Sequence, residues 1–553
     1  MSKLELKLFS SLAKIFPGST PKPIRAEELP GVLYGETISF QVAYKFKSDS
    51  SRSWANIEID APDCVEVNAR RVRYIPGLIP AHFKTDEGYL TTSDGLFPDL
   101  LEPFDYKNLP LIPGIWQSIW ISVKVIQDTI RGTFPININI KETDGNDSAD
   151  ITVPIEIIPV KLPPLDIFHT RWFHIDCLAH YYNVDVFSEK HWEIIENFVS
   201  FAAEHGINTL LTPIHTPPLD TAVGGERLTT QLIDVVVGKN NTYSFDFDKL
   251  ERWISMCKRA GIERFEMAHL FTQWGAKHAP KIMGTKNGEY TRLFGWETDA
   301  TSDEYAGYLR QLLPALVAKL KELNVHENTI FHISDEPGLE NLESYRNARK
   351  IIEPFLDGFR IVDALTNIDF YKQGAVSIPI PAVDHITPFL DANIPELWCY
   401  YCCAQSFEVP NLFFMQPSYR NRILGVLLYK YNISGFLHWG YNFYNSVHSV
   451  YPVDPFMTTD ADGAFPSGDS FVVYPGADGK PLASLRLMVS DEAFNDYKAL
   501  KLLESMIGTE AVNALIDADI EAPLTFSQFP QNDEYILRLR KCINDKIREG
   551  IKG

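Results

Sequence analysis

Thr329-Ile330-Phe331-His332-Ile333-Ser334-Asp335-Glu336-Pro337-Gly338 is the stretch on which the fold turns. Thr329 to Ser334 reads as a short buried strand, because Ile330, Phe331 and Ile333 are apolar and two of them are β-branched. Two neighbouring carboxylates follow. Pro337 and Gly338 then stop the strand, and a helical pattern begins near Leu339. In a strand-loop-helix repeat closed into a barrel, the C-terminal ends of the strands carry the chemistry. Successive strand residues face opposite sides. Asp335 and Glu336 therefore share a pocket only if the strand has broken before them. The blander reading is a solvated loop or a helix start, where Asp and Glu are also favoured.

The surrounding rhythm favours the barrel. Apolar runs fall at residues 168–175, 208–211, 264–270, 329–333, 360–365, 383–386, 397–401 and 435–439. Helical patterns lie between most of them, at 189–205, 247–260, 302–323, 340–352 and 417–431. Strands alternating with helices point to a (β/α)8 barrel of TIM type. Residues 1–163 differ: the stretches 37–44, 119–125, 134–140 and 151–158 alternate with period two between Gly, Asp and Asn clusters. That pattern predicts an N-terminal β-sandwich, read as a packing partner of the barrel rather than a second sugar-binding module. Leu162-Pro163-Pro164-Leu165 is the linker. The expected organisation is a sandwich over 1–163, a catalytic barrel over 164–450, and a loop and helical C-terminal extension over 451–553 packing on the barrel.

Lys+Arg 51 against Asp+Glu 72 gives a net charge of −21. Nucleic acid and anionic membrane both need a cationic surface, so neither is expected as a partner. No stretch approaches the roughly 18 apolar residues of a membrane span. The cysteines number seven and are irregularly spaced, so they read as buried free thiols. The longest uncharged run before Lys14, residues 8–13, is too short for an export signal. Together these predict a cytoplasmic location.

The barrel reading collects residues at the strand ends without any motif: His174 and Asp176, Thr212 and His215, His269, Gln273 and Trp274, Asp335 and Glu336, Asp363, Asp384, Tyr400 and Tyr401, and Trp439, Tyr441 and Asn442. The chain lacks a Gly-rich phosphate loop and a G-x-S-x-G elbow, which argues against nucleotide and serine-hydrolase chemistry. No metal or cofactor is expected. Rings that cover the apolar faces of a sugar, together with carboxylates, amides and imidazoles for its hydroxyls, suit a carbohydrate. Standard glycosidases hold two carboxylates about 5 Å or more apart, a poor match for sequence neighbours. Substrate assistance fits better. A 2-acetamido group attacks its own anomeric carbon, Asp335 orients the amide and steadies the oxazolinium, and Glu336 protonates the leaving group and then activates water.

Here the chain resembles glycoside hydrolase family 123, including proteins that carry the domain of unknown function 4091. The resemblance rests on the Asp335-Glu336 pair after a strand, on Trp439-Gly440-Tyr441-Asn442, and on Tyr474-Pro475-Gly476, Ser484-Leu485-Arg486-Leu487 and Asp496-Tyr497 in that order. It spans roughly residues 165–505. It implies a β-N-acetylgalactosaminidase barrel behind a β-sandwich, with Asp335 and Glu336 as the catalytic pair and Trp439, Tyr441 and Asn442 lining the pocket. The expected lack of an export signal departs from the secreted members. The leading expectation is a retaining exo-hydrolase of terminal β-linked N-acetylhexosamine, N-acetylgalactosamine first. Asp335 and Glu336 would be catalytic, and His174, His215, His269, Trp274, Asp384, Tyr400, Trp439, Tyr441 and Asn442 would bind substrate. Two alternatives stay open: a conventional double-displacement glycosidase with Glu336 as acid/base and Asp384 as nucleophile, and a glycan-binding protein without turnover. Arg486 and Asp496 are read as pairing or capping groups.

Overall fold

The computed structural model describes residues 3–48 and 52–552. The chain divides into two compact units: Met1–Leu165 with Ser406–Tyr431 and Leu482–Gly553, and Asp166–Gln405 with Asn432–Pro481. The first boundary falls at the proline-rich linker. The expected single extension over 451–553 is divided between the units, with residues 451–481 in the second and 482–553 in the first.

The first unit holds two five-stranded sheets. In one, Thr37–Phe46, Trp116–Val125 and Val65–Gly77 run antiparallel side by side. In the other, Ser148–Lys161, Gly132–Glu142 and Ser53–Asp60 do the same. Alternate residues turn inward: Ile119, Ile121 and Val123 from one sheet meet Ile136, Ile138, Ile140, Val153 and Ile155 from the other in one apolar cluster. The helix Tyr419–Lys430 lies against Leu485–Ile507, and Gly425 permits the approach, since a Cβ there would sit 1.8 Å from the Ala493 carbonyl oxygen. Charges beside this contact are buried but paired. Arg422 donates to Glu492 and Asp496, each at 2.8 Å. Arg540 donates to Asp496 at 2.9 Å and to Glu36 at 2.6 and 2.7 Å. Arg486 donates to both oxygens of Asp99 at 2.9 Å. Arg486 and Asp496 are thus structural pairing groups, as the sequence implied.

The second unit holds an eight-stranded parallel sheet. Its strands are β1 (Phe168–Arg171), β2 (Thr209–Thr212), β3 (Arg264–Met267), β4 (Thr329–Phe331), β5 (Arg360–Leu365), β6 (Ile378–Pro381), β7 (Trp398–Tyr400) and β8 (Gly435–His438). The order β6-β5-β4-β3-β2-β1-β8-β7 rolls the sheet almost closed. Its two edges meet at a parallel bridge between Ala382 and Tyr400, where the Val383 amide donates to the Tyr400 carbonyl at 2.9 Å. The helices Glu189–Glu204 and Asp303–Glu322 start at Ser188 and Ser302, whose hydroxyls accept the amides of His191 and Tyr305.

Three differences from the sequence reading have physical causes. β1 ends at Arg171, because Ile175–Tyr181 is already helical and buries Ile175 and Leu178. β6 lies at Ile378-Pro379-Ile380-Pro381, upstream of the expected 383–386. Its two prolines disguise it, since proline is rarely found in a paired strand. A four-stranded sheet built from Asp234–Val237, Tyr243–Asp246, Ile282–Lys286 and Glu289–Phe294 is inserted after β2 and β3.

Gly425→Ala drives a methyl group into a backbone carbonyl. It is expected to destabilise the protein by about 3 kcal/mol or more, read as a lowered denaturant midpoint. An unchanged midpoint would show that this helix contact does not hold the unit together.

Candidate functional site

β4 ends as a strand at Phe331, three residues before the expected end at Ser334. The amides of Ile333 and Ser334 turn away from the sheet ladder to the carboxylate of Asp363, which lies within β5, at 3.0 and 3.3 Å. The segment stays tied on its other side to the loop after β3. Leu270, Phe271 and Trp274 donate their amides to the carbonyls of His332, Ile333 and Asp335 at 3.2, 3.1 and 2.8 Å. The Ser334 hydroxyl donates to the Thr272 carbonyl at 2.8 Å. Glu336 then takes a left-handed backbone conformation with φ 43°. Such a conformation costs an L-residue roughly 1–2 kcal/mol, and residues of this kind collect at functional sites. Here it cancels the alternation of a strand, so both Asp335 and Glu336 line one cavity.

That cavity is about 200 Å³. Trp172, Trp274, Tyr400, Trp439 and Phe465 supply its rings, and Asp220, Gln273 and His448 add polar groups. Glu336 accepts the Tyr400 hydroxyl at 2.6 Å. Among the described residues no side chain hydrogen-bonds the Asp335 carboxyl group, which leaves it free for a ligand. Burial raises the pKa of Asp335 well above the usual carboxylate range, the charge of Glu336 adds to this, and His332 opposes it. Burial also raises Glu336; the Tyr400 hydrogen bond lowers it and Asp384 raises it. Two crowded carboxyl groups of this kind bind protons as a pair.

A polar layer lies beneath. His332 is fully buried, with Nε2 2.6 Å from Glu266 and Nδ1 3.2 Å from Asp363. Glu266 also accepts the Trp172 indole N–H at 2.8 Å and the Thr170 hydroxyl. Asp363 also accepts the Tyr345 hydroxyl. His269 stacks on His332 with ring centres 4.4 Å apart and 26° between planes. Ligand atoms of His269, His332 and Asp363 lie within 4.8 Å of one another. Imidazoles stacked this way cannot both aim an in-plane lone pair at one ion, and both nitrogens of His332 are already engaged. The trio therefore fits a hydrogen-bonded cluster and not a metal centre.

Of the residues expected to bind substrate, Trp274, Tyr400 and Trp439 line the cavity. The others lie elsewhere. His174 is 2% exposed and sits behind Trp439, with Nε2 3.0 Å from its carbonyl; burial and Arg227 bring its pKa down to about 4. His215 is buried against Tyr308, and burial brings it down to about 3. His269 lies in the polar layer with neither ring nitrogen partnered among the described residues, and burial holds it neutral. Asp384 is occupied by His385 at 2.7 Å and Gln405 at 3.1 Å. Tyr441 points away and donates to the Phe198 carbonyl at 3.0 Å. Asn442 clamps the His174 backbone, accepting its N–H at 2.9 Å and donating to its carbonyl at 3.1 Å. Gly440 is needed between Trp439 and Tyr441, since a Cβ there would lie 2.4 Å from the Ser470 carbonyl oxygen. The Trp439-Gly440-Tyr441-Asn442 motif thus offers one residue to the cavity and uses three to fix the loop.

Trp172 was missed by the sequence reading, although it directly follows β1 in the chain. Asp220 and His448 were missed because they sit on long loops. There the His448 amide donates to Asp220 at 2.9 Å, and both residues have positive φ.

Residues 172–503 match the family model for the glycoside hydrolase 123 catalytic domain. Among similar solved structures is a family 123 glycoside hydrolase from Clostridium perfringens, described for glycolipid glycan hydrolysis, at 15% identity and TM-score 0.73 with 99% of each chain covered. At that identity the likeness speaks for the fold. A GH10 xylanase with a bacterial Ig-like domain, from termite gut, has 12% identity and TM-score 0.34 over 69% of this chain and 90% of its own. An endo-β-1,4-mannanase from Thermotoga petrophila has 11% identity and TM-score 0.34 over 61% and 77%. Neither of these two carries an argument at such scores. No curated protein matches. The family model spans more than half of the chain and contains the Asp335-Glu336 pair, so the chain belongs to glycoside hydrolase family 123 and acts on carbohydrate.

Proposed function

We propose that the protein is a retaining exo-glycosidase that removes terminal β-linked N-acetylhexosamine, N-acetylgalactosamine first, with the substrate's 2-acetamido group as nucleophile. The eight-stranded sheet is read as a (β/α)8 barrel of TIM type, and the two sheets of the first unit as a β-sandwich. The observation that carries the proposal is the shared cavity of Asp335 and Glu336. Sequence neighbours leave little room for one carboxylate to attack the anomeric carbon while the other protonates the leaving oxygen from a distance. They are well placed for adjacent tasks on one ligand. The cavity volume, about 200 Å³, is below the roughly 300–1,000 Å³ of pockets that enclose drug-sized ligands. One sugar ring suits it, which favours cleavage from a chain end. Its indole and phenol rings can cover the apolar faces of that ring.

In this mechanism the unpartnered Asp335 carboxylate accepts the amide N–H of the 2-acetamido group. It thereby turns the carbonyl oxygen toward the anomeric carbon and steadies the positive oxazolinium that forms. Glu336 gives its proton to the leaving oxygen, then takes one from the water that opens the ring. Burial raises Glu336 toward the pH at which it can do both. Tyr400 acts as the donor that holds Glu336 in place. The conventional alternative is weakened by Asp384, whose side chain is taken up by His385 and Gln405 outside the cavity lining. The Clostridium perfringens relative is described for glycolipid glycans, and glycans of that kind are natural candidates here. The seven cysteines are all free thiols, which supports a reducing compartment such as the cytoplasm.

Three outcomes test the reading. Glu336→Gln should lower kcat/KM on aryl β-N-acetylgalactosaminides by about 10²–10⁴, with a greater loss for poor leaving groups. Asp335→Asn should erase the preference for 2-acetamido over 2-hydroxy glycosides; equal turnover by Asp335→Asn and the parent would end the proposal. Tyr400→Phe removes a hydrogen bond that lowers the Glu336 pKa. A general acid must be protonated to act, so raising its pKa should carry the alkaline limb of the pH–rate profile upward. A downward move would contradict this role for Tyr400.

A further inference from the structure

His332 lies three residues before Asp335 and enters none of the steps above. Its environment is nevertheless specific. The side chain is fully buried, with one carboxylate at each ring nitrogen: Glu266 on β3 at 2.6 Å and Asp363 on β5 at 3.2 Å. Both carboxylates are fixed as acceptors by groups that only donate. The Trp172 indole N–H points to Glu266 at 2.8 Å. The Ile333 amide lies 3.0 and 3.3 Å from the two oxygens of Asp363, and the Ser334 amide 3.3 Å from one of them. An imidazole between two acceptors must donate from both nitrogens, and only the imidazolium does so. Burial works against that charge, but the two carboxylates outweigh it and carry the pKa of His332 up to about 10. The neighbouring ring, His269, is held neutral by burial and by the charge of His332.

We propose that His332 is a positioning residue: an imidazolium under the cavity floor whose positive charge pulls against the surrounding carboxylates and favours the ionised form of Asp335 that meets the ligand. The groups acting on Asp335 are Glu336 beside it, Asp363 and Glu266 below it, and His332 between those two. Tyr400 faces the same charge from β7. His332 is the cation that opposes these carboxylates. Without it, Asp335 is the group most exposed to three like charges, and it would hold a proton more tightly. A protonated Asp335 cannot accept an amide N–H on both oxygens or steady an oxazolinium. The same residue also ties the floor together, since Glu266 holds the Trp172 indole that lines the cavity. The proposal rests on Asp335 meeting the 2-acetamido group, but its own test does not require turnover.

Neutron diffraction from the unaltered protein at about pH 8 should show a hydrogen on both ring nitrogens of His332; a bare nitrogen at either position would overturn the proposal. Carboxyl carbon NMR, with Asp335 assigned through Asp335→Asn, gives the second readout. In His332→Gln the Asp335 midpoint should rise by about one pH unit or more, and in Glu266→Gln it should fall, because a like charge has been removed. A purely structural role would lower thermal stability and leave the midpoint where it was, and that result would also overturn the proposal. On aryl 2-acetamido glycosides, His332→Gln should carry the acid limb of the pH–rate profile upward in step with the midpoint. Failure of the parent protein to cleave such substrates would count against the proposed reaction alone, because neither the diffraction nor the NMR result involves hydrolysis.

Discussion

The Asp363 carboxylate accepts two consecutive amides at the point where β4 leaves the sheet, and the site depends on that substitution. A strand continued through Ser334 would have sent Asp335 and Glu336 to opposite faces. With the amides of Ile333 and Ser334 withdrawn from the ladder, the chain can turn through the left-handed conformation of Glu336. The backbone strain is held by neighbours on both sides: the loop after β3 binds the carbonyls of residues 332, 333 and 335, and Asp363 binds the amides between them. A carboxylate that reads in the sequence as one more rim acid is therefore the support of the two that line the cavity.

The same economy runs through the layer below. Glu266, His332 and Asp363 are all fully buried, and each holds something that reaches the cavity. Glu266 holds the Trp172 indole, Asp363 holds the turn, and His332 joins the two. Leaving one of two paired buried charges alone costs several kcal/mol. The layer therefore behaves as a unit, and a change at one member is felt at the cavity wall.

Much of this was legible in the chain. The adjacent acids, the Pro337-Gly338 stop and the alternation of strands and helices pointed to the barrel sheet and to the pair of acids that line one cavity. β-Branched alternation gave the N-terminal sheets. What was not legible was orientation. His174, Tyr441 and Asn442 follow strand ends in sequence, but a helix starting at Ile175 and a loop fastened to Ser470 and Val472 turn them away from the cavity. Asp220 and His448 lie 228 positions apart and meet only through loop geometry. One signal was present and unread. Asn287-Gly288 joins Ile282–Lys286 to Glu289–Phe294, and both of its residues have positive φ, as a two-residue hairpin turn requires.

The account as a whole stands on a ligand amide that enters the reaction and an aspartate that receives it. Binding of the bicyclic 1,2-thiazoline analogue of N-acetylgalactosamine, a stable likeness of the oxazolinium, addresses this directly by calorimetry. The account predicts a Kd at least about 100-fold below that of N-acetylgalactosamine itself, with the advantage lost when Asp335 is replaced by Asn. A thiazoline that binds no tighter than the parent sugar would contradict it.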